Sequence, residues 1–441
     1  MVFSFIFYGW WDWRFLFLIL LSGAIDFGAA LAIERQPAKK KQWLLLSLLG
    51  NIGGLTIFKY SQFIAQTLDD LAATIGWQMD LHSQLPAFSL IVPVGISFYT
   101  FQSMSYTIDV YKGNLKPTRK VMHFFAYLAM FPQLVAGPIV RAKDLLHQLQ
   151  QNRQVSAVST WLGLRLMAYG FFQKMVIADN LGPFVNRAFW ATDAEASCLY
   201  WWMVMIAFSF QIYFDFAGYS SIARGIAKLM GYRFKSNFNH PYHAISLRDF
   251  WSRWHISLST WFRDYVYIPL GGNKGAKWRG HWNMWITMLI SGLWHGPAFH
   301  FIIWGAVHAF FLSIERLTKW PKYLHRYWLG KCFSFIFVMM QVVAAWVFFR
   351  AETFDQAVNV LDHLFSFRTK ADELLWERHF DAIVFLMLAV AVEGWVYLKR
   401  RYTKFRAATN TIAYDVFTMA LLILLCVYFR GPAAEFIYFQ F

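Results

Sequence analysis

Long apolar runs alternate along the chain with short polar segments, and the runs predict the elements. Residues 3–33 are apolar apart from Asp12, Arg14 and Asp26, which predicts one span preceded by an interfacial aromatic segment. Further spans are predicted near 42–64, 88–107, 155–177, 200–229, 332–350, 381–398 and 411–429. Several of these reach the roughly 20 residues a helix needs to cross a bilayer. Pro93 and Gly95 predict a kink in the run 88–107. The run 121–140 is interrupted by Pro132, Gly137 and Pro138 and is followed at once by Arg141 and Lys143. That pattern predicts a re-entrant segment rather than a crossing. Residues 281–315 have basic segments on both sides, and two full crossings need roughly 40 residues. They predict a helical hairpin turning near Gly292–Pro297, with its tip inside the membrane. In 247–265, Leu247, Trp251, Trp254, Leu258, Trp261, Phe262 and Tyr265 recur at helical spacing. This predicts an amphipathic helix lying in the membrane interface, stopped by Pro269-Leu270-Gly271-Gly272.

Composition turns these runs into a fold class. The chain is 58% hydrophobic, 20% aromatic and only 15% charged, where a soluble domain carries about 25% charged residues. Lipid admits only helices or closed barrels as spanning structures. A barrel would show short alternating strands, whereas these runs are continuous. The expected architecture is an all-α polytopic membrane protein with about nine or ten transmembrane helices, plus re-entrant and interfacial helices. Without Gly/Ser linkers or an obvious internal repeat, residues 1–441 are expected to form a single domain.

The net charge of +16 follows topology rather than nucleic-acid binding. Basic residues fill short loops: Arg35 and Lys39 to Lys41; Lys112 to Lys120; the stretch 231–280; Arg316 to Lys331; and Lys399 to Arg406. The positive-inside rule places these in the cytoplasm. Acidic loops with Asp69, Asp70 and Asp80, with Asp193 and Glu195, and with Asp372, Glu373 and Glu377 face outside. Cys198, Cys332 and Cys426 are far apart, without disulfide or metal spacing, and no metal is expected. No cleavable secretory signal is evident.

The candidate chemistry centres on Ser291-Gly292-Leu293-Trp294-His295-Gly296-Pro297. An ionisable side chain inside membrane-compatible sequence is costly and by default functional. The His295 imidazole is suited to take a proton from a hydroxyl or thiol; alternatively it bonds a carbonyl exposed by Gly296 and Pro297. His255 is either a site residue or an interfacial histidine meeting lipid headgroups. His308 lies 13 positions after His295, roughly 20 Å along a continuous helix, and reads as structural. Asp109, Asp215 and Asp264 are acids near or within apolar sequence; Asp215 is expected to pair with an arginine or orient a histidine. Gly271-Gly272-Asn273-Lys274-Gly275 offers either an anion cradle or a cytoplasmic turn, with spacing favouring the turn. Neither a Gly-x-Ser-x-Gly elbow nor a Walker loop occurs.

Two ordered motifs carry a resemblance. Asp249-Phe250-Trp251-Ser252-Arg253-Trp254-His255-Ile256-Ser257-Leu258-Ser259, continuing through Trp261-Phe262-Arg263-Asp264-Tyr265 to Tyr267-Ile268-Pro269-Leu270-Gly271-Gly272-Asn273, resembles the signature of the membrane-bound O-acyltransferases. Gly292-Leu293-Trp294-His295-Gly296 is similar to that family's central histidine motif. Val92 to Phe101, Phe131 to Ile139 and the tail Phe436 to Phe441 extend the likeness to the bacterial alginate O-acetyltransferase branch. In relatives a further hydrophobic helix usually precedes the segment matching Tyr8 to Trp11; this chain starts almost at that segment.

The resemblance implies acyl transfer from a cytoplasmic thioester, acetyl-CoA in this branch, across the bacterial cytoplasmic (inner) membrane. The acceptor it implies is a hydroxyl of an exported polysaccharide, reached through an extracytoplasmic SGNH-type partner. It maps the family's central histidine onto His295 and its second recurrent histidine onto His255. The donor is expected to dock at the basic mouth from Arg263 to Arg279, with Arg263 and Lys274 as binding residues. Rival expectations are D-alanyl transfer to teichoic acid, peptidoglycan O-acetylation, a proton-coupled transporter or flippase, and a structural scaffold.

Overall fold

The computed structural model describes residues 1–134, 137–190, 197–366, 379–402, 412–434 and 436–437. Val135, Ala136, Asp193, Glu195, Asp372, Glu373, Glu377, Lys404, Arg406 and the tail from Tyr438 lie outside the described residues. All regular structure among the described residues is helical. Among the described residues, six segments are long and apolar enough to cross a membrane: Val2–Arg35, Pro37–Thr74, Cys198–Leu229, Phe299–Thr318, Trp328–Arg350 and Phe380–Arg401. The other expected spans fall on shorter or interrupted helices. The chain is thus an all-helical, multi-pass membrane protein. It divides into two compact units, Met1–Ser159 with Ala227–Lys235, and Thr160–Ile226 with Ser236–Phe441.

In the first unit, α1 (Val2–Asp12) and α2 (Leu16–Arg35) meet at a single 3-10 turn. Then come α3 (Lys40–Leu55), α4 (Ser61–Thr74) and α5 (Ile96–Tyr111). Asp26 of α2 interrupts its apolar run because it is the polar hub of three helices. Its buried carboxylate accepts from Ser47 and Ser103, from Asn51 Nδ2 at 2.8 Å and from Thr107 Oγ1 at 3.0 Å. In an apolar medium each of these groups needs a partner, so the hub fixes how α2, α3 and α5 rotate against one another. Pro93 and Gly95 do not kink a span. Gly95 has φ 74°, which halts the preceding chain, and α5 begins immediately after it. The expected re-entrant run forms two short helices, α6 (Val121–Leu128) and α7 (Phe131–Leu134), followed by α8 (Ala142–Leu149).

The second unit contains α9 (Ala157–Phe171), α10 (Asp179–Trp190) and most of α11 (Cys198–Leu229). The expected single amphipathic helix over 247–265 is broken into α12 (Leu247–Arg253) and α13 (Ile256–Phe262). His255 stands at the break, with a left-handed φ of 40°. Leu247, Phe250, Trp254, Leu258 and Trp261 are buried within the protein. Both pieces keep their apolar face toward the same core, so periodicity alone does not reveal the break.

The hairpin is present, with α14 (Lys277–His295) and α15 (Phe299–Thr318) joined by residues 296–298. Its arms are longer than the sequence suggests: at 1.5 Å per residue, α14 covers about 28 Å, close to a bilayer's hydrocarbon thickness. The arms touch backbone to backbone. A Cβ at Gly292 would lie 2.2 Å from the Phe301 carbonyl oxygen, and one at Gly305 would lie 2.4 Å from that of Met288. Small residues at both crossings are what allow this approach. The remaining described helices are α16 (Trp320–Leu324), α17 (Trp328–Arg350), α18 (Phe354–Phe365), α19 (Phe380–Arg401) and α20 (Ile412–Tyr428).

Candidate functional site

The break at His255 is held by one side chain. The Asn237 amide oxygen accepts the Ser257 N–H at 3.1 Å and the Ser257 hydroxyl at 2.8 Å. It also accepts from His255 Nδ1 at 3.2 Å. The backbone locks the same corner, with Ile256 N–H donating to Asn237 O at 2.8 Å and Asn239 N–H donating to Arg253 O at 3.0 Å. Because Nδ1 faces a carbonyl oxygen, it carries the proton, and Nε2 becomes the hydrogen-bond acceptor of the ring. His255 is fully buried, and that burial pushes its imidazole down to about 3. It is a neutral ring near pH 7.

His295 is the last residue of α14 and is 5% exposed. Its ring stands edge-on to Trp304, at 5.0 Å between centroids, and to Phe349, at 5.3 Å. Trp294 brings the two histidines together, with its ring 5.0 Å from His295 and 6.3 Å from His255. Phe216 stands edge-on to His255 at 4.7 Å and Phe238 stacks on it at 6.4 Å. The result is two imidazoles in an aromatic enclosure. One has a tautomer fixed by Asn237; the other sits at the bend of a hairpin.

His308 is buried and packs on Trp304 at 4.8 Å and Trp251 at 5.0 Å. The bend at 296–298 thus gives His295 and His308 a shared neighbour, Trp304, which the picture of one continuous helix misses. Among the described residues, Asp215 pairs with a lysine rather than with an arginine or a histidine. Lys174 Nζ lies 2.7 Å from Asp215 and 2.8 Å from Asp179, and Ile437 N–H donates to Asp215 at 2.7 Å. A desolvated carboxylate takes the nearest cation, and α9's C-terminal extension supplies it.

Arg263 and Lys274 lie away from the enclosure. Arg263 is exposed and paired with Asp264 at 2.7 Å. Lys274 is exposed on a turn in which three backbone amides bond within the turn. Gly271 N–H donates to Ile268 O at 3.0 Å, Gly272 N–H to Tyr267 O at 2.9 Å and Lys274 N–H to Gly271 O at 3.0 Å. The glycine-rich segment thus forms a turn closed by its own backbone hydrogen bonds.

Sequence reasoning passes over one buried pair. His240 Nδ1 donates to Glu393 Oε1 at 2.7 Å, and the Tyr213 hydroxyl donates to Glu393 Oε2 at 3.3 Å. Glu393 is an acid inside an apolar run, and that signal alone could have flagged it. Its partner is 153 residues away in sequence, which no local pattern discloses.

Comparison with known proteins agrees with these motifs. Residues 118–351 match the model of the MBOAT, membrane-bound O-acyltransferase, family. The chain is 38% identical over 377 residues to the Pseudomonas aeruginosa protein named Probable alginate O-acetylase AlgI, covering 83% of this chain and 69% of that protein. It is 34% identical over 386 residues to the Helicobacter pylori peptidoglycan O-acetyltransferase, covering 81% and 71%. It is 30% identical over 250 residues to the Bacillus subtilis teichoic acid D-alanyltransferase, covering 54% and 62%. The expectations of a transporter or a scaffold give way to an enzyme. With its two histidine motifs in order and likeness over most of its length, the chain belongs to the membrane-bound O-acyltransferase family and is an O-acyltransferase.

Proposed function

We propose that the whole chain acts as one O-acyltransferase domain in the bacterial inner membrane, passing acetyl groups from cytoplasmic acetyl-CoA to an exported polysaccharide. An alginate-like or other exopolysaccharide is the acceptor, and an extracytoplasmic SGNH-type partner completes the transfer. The names of the Pseudomonas and Helicobacter relatives support acetyl as the group carried. The observation that carries the assignment of roles is the packing of His255 and His295 on one indole.

His295 is the general base. Its imidazole takes the proton of the acceptor hydroxyl as the oxygen attacks the thioester carbonyl. The new C–O bond forms, the C–S bond breaks, and the imidazolium returns the proton to the departing thiolate. His255, neutral and fixed by Asn237, offers its Nε2 lone pair to a polar hydrogen of the bound donor and so orients it. Arg263 and Lys274, exposed on the basic face, attract the anionic donor over distance rather than gripping it.

Replacing His295 by alanine should abolish acetylation of the polysaccharide while leaving folded protein in the membrane; near-normal acetate content would sink the proposal. The second reading, D-alanyl transfer or peptidoglycan O-acetylation, is favoured by the Helicobacter and Bacillus likenesses. Supplying membranes with radiolabelled acetyl and D-alanyl thioesters separates acetyl from D-alanyl transfer by which label is consumed, and recovery of the acetyl label in exported polysaccharide or in peptidoglycan separates the two acetyl acceptors.

A further inference from the structure

A second cleft in the same unit stands apart from the aromatic enclosure. Arg224 of α11, Arg400 at the end of α19, His240, Ser220 and Asn237 are among its lining residues. Its volume is about 50 Å³. A water requires roughly 10–15 Å³ by such a measure, so the cleft has room for a phosphate-sized group rather than a whole nucleotide.

The charges around the cleft are unbalanced. Among the described residues, neither Arg224 nor Arg400 forms an ion pair. The buried Nε of Arg224 has no hydrogen-bond partner among them. The one carboxylate in the lining, Glu393, is engaged by His240 and Tyr213. His240 is 5% exposed, and its Nε2 is also without a partner among the described residues. Its backbone is left-handed, with φ 51°, a costly conformation for a side-chain-bearing residue and one that clusters at ligand sites. Two guanidiniums facing one cleft repel each other unless an anion lies between them. Their forked donors match phosphate oxygens. By the positive-inside rule, the ends of α11 and α19 near Arg224 and Arg400 face the cytoplasm, where a thioester donor would arrive. Asn237 lines this cleft and also holds His255.

We propose that Arg224, Arg400 and His240 form the pocket that grips a phosphate of the acyl donor, with Asn237 transmitting its occupancy to His255. This rests on the reading of a cytoplasmic coenzyme thioester. It moves the gripping role from Arg263 and Lys274, which lie on the surface, to residues that converge. An anionic lipid headgroup carries the same phosphate chemistry and is the competing source.

The test uses the purified full chain in nanodiscs of phosphatidylcholine, titrated with CoA and with pantetheine, which lacks phosphate. Arg224→Gln and Arg400→Gln should each weaken CoA binding by roughly tenfold or more, the loss expected for a charge-assisted contact. Pantetheine binding should be unchanged. CoA binding that stays at wild-type strength in both variants overturns the proposal, as does a parallel loss of pantetheine. Arg400 is exposed, so its variant tests the idea even if the Arg224 variant does not fold. Titration in nanodiscs with added phosphatidylglycerol separates the sources. If the variants lose only retention of that lipid while binding CoA normally, the cleft is a lipid site and the donor assignment falls. His295→Ala should bind CoA normally, so failure of acetyl transfer and failure of this pocket are read independently.

Discussion

His255 and His295 pack against one indole, Trp294, although 40 residues separate them in the chain. If the pair forms the reaction centre, the two residues fail differently. His295→Ala should lower acyl transfer by roughly 10²–10⁴-fold, the usual worth of a general base, with little change in donor affinity. Trp294→Phe keeps an aromatic wall and should retain folded protein with an intermediate rate. Label transfer from acetyl-CoA in membrane vesicles measures both. A His295→Ala rate within tenfold of wild type would remove that residue from the chemistry.

Burial makes His255 sensitive to acid. Its ring is neutral when folded, pushed down to about 3, whereas an exposed histidine titrates near 6.5. Between those values the unfolded chain binds the additional proton, so stability rises with pH across that window and is lost as pH falls through it. Thermal unfolding in detergent should show a melting temperature declining from about pH 6.5 toward pH 3. His255→Gln should flatten part of that slope. An unchanged slope would mean that other groups dominate.

Asn237 should behave as a positioning residue. Asn237→Leu leaves the Ser257 N–H, the Ser257 hydroxyl and His255 Nδ1 without their shared acceptor. Each buried loss costs about 1–3 kcal/mol. Asn237→Asp keeps the acceptor oxygen and, with donor saturating, should restore much of the rate, while its carboxylate in the cleft weakens binding of the anionic donor. Equal loss in both variants, measured as rate at saturating donor, would argue against the positioning role.

The Asp26 hub predicts a defect of folding rather than chemistry. Asp26→Ala removes the shared acceptor of Ser47, Asn51, Ser103 and Thr107 and, at about 1–3 kcal/mol for each buried group left unsatisfied, should destabilise the first unit by about 3 kcal/mol or more. The expected result is lower yield and melting temperature. Per folded molecule, the acyl-transfer rate should remain near wild type.

At the hairpin, Gly292→Ala places a methyl group 2.2 Å from the Phe301 carbonyl oxygen, so the arms must separate. We expect loss of folded protein or of activity, whereas Gly394→Ala, with open space around it, should be silent. Comparing the yields of the two variants checks the close packing directly.

Much of this architecture is legible in the sequence because lipid imposes simple rules. Apolar run length and loop charge reveal the helices, and Gly292 to Pro297 mark the hairpin. The break at His255 is not legible, because Leu247 to Trp261 keep helical spacing across it while a distant asparagine sets the corner. Pro93 and Gly95 predict a kink, but the positive φ of Gly95 makes the site a helix start instead. The Lys174–Asp215 and His240–Glu393 pairs join residues 41 and 153 positions apart. Composition marks such groups as costly without naming what answers them. His255 and His295 stand out through motifs, and the cleft of Arg224 and Arg400 does not, because no motif spans it.

The pinned hairpin also constrains how this chain can vary in length. The contacts at Gly292 and Gly305 fix the register of α14 against α15, and His295 ends the first arm. Removing one residue from α14 would turn everything beyond it by about 100° and swing the imidazole away from Trp304 and Phe349. The turn at 271–276, exposed over most of its length, carries no such phase. Insertions and deletions should therefore be tolerated in that turn and refused inside the arm.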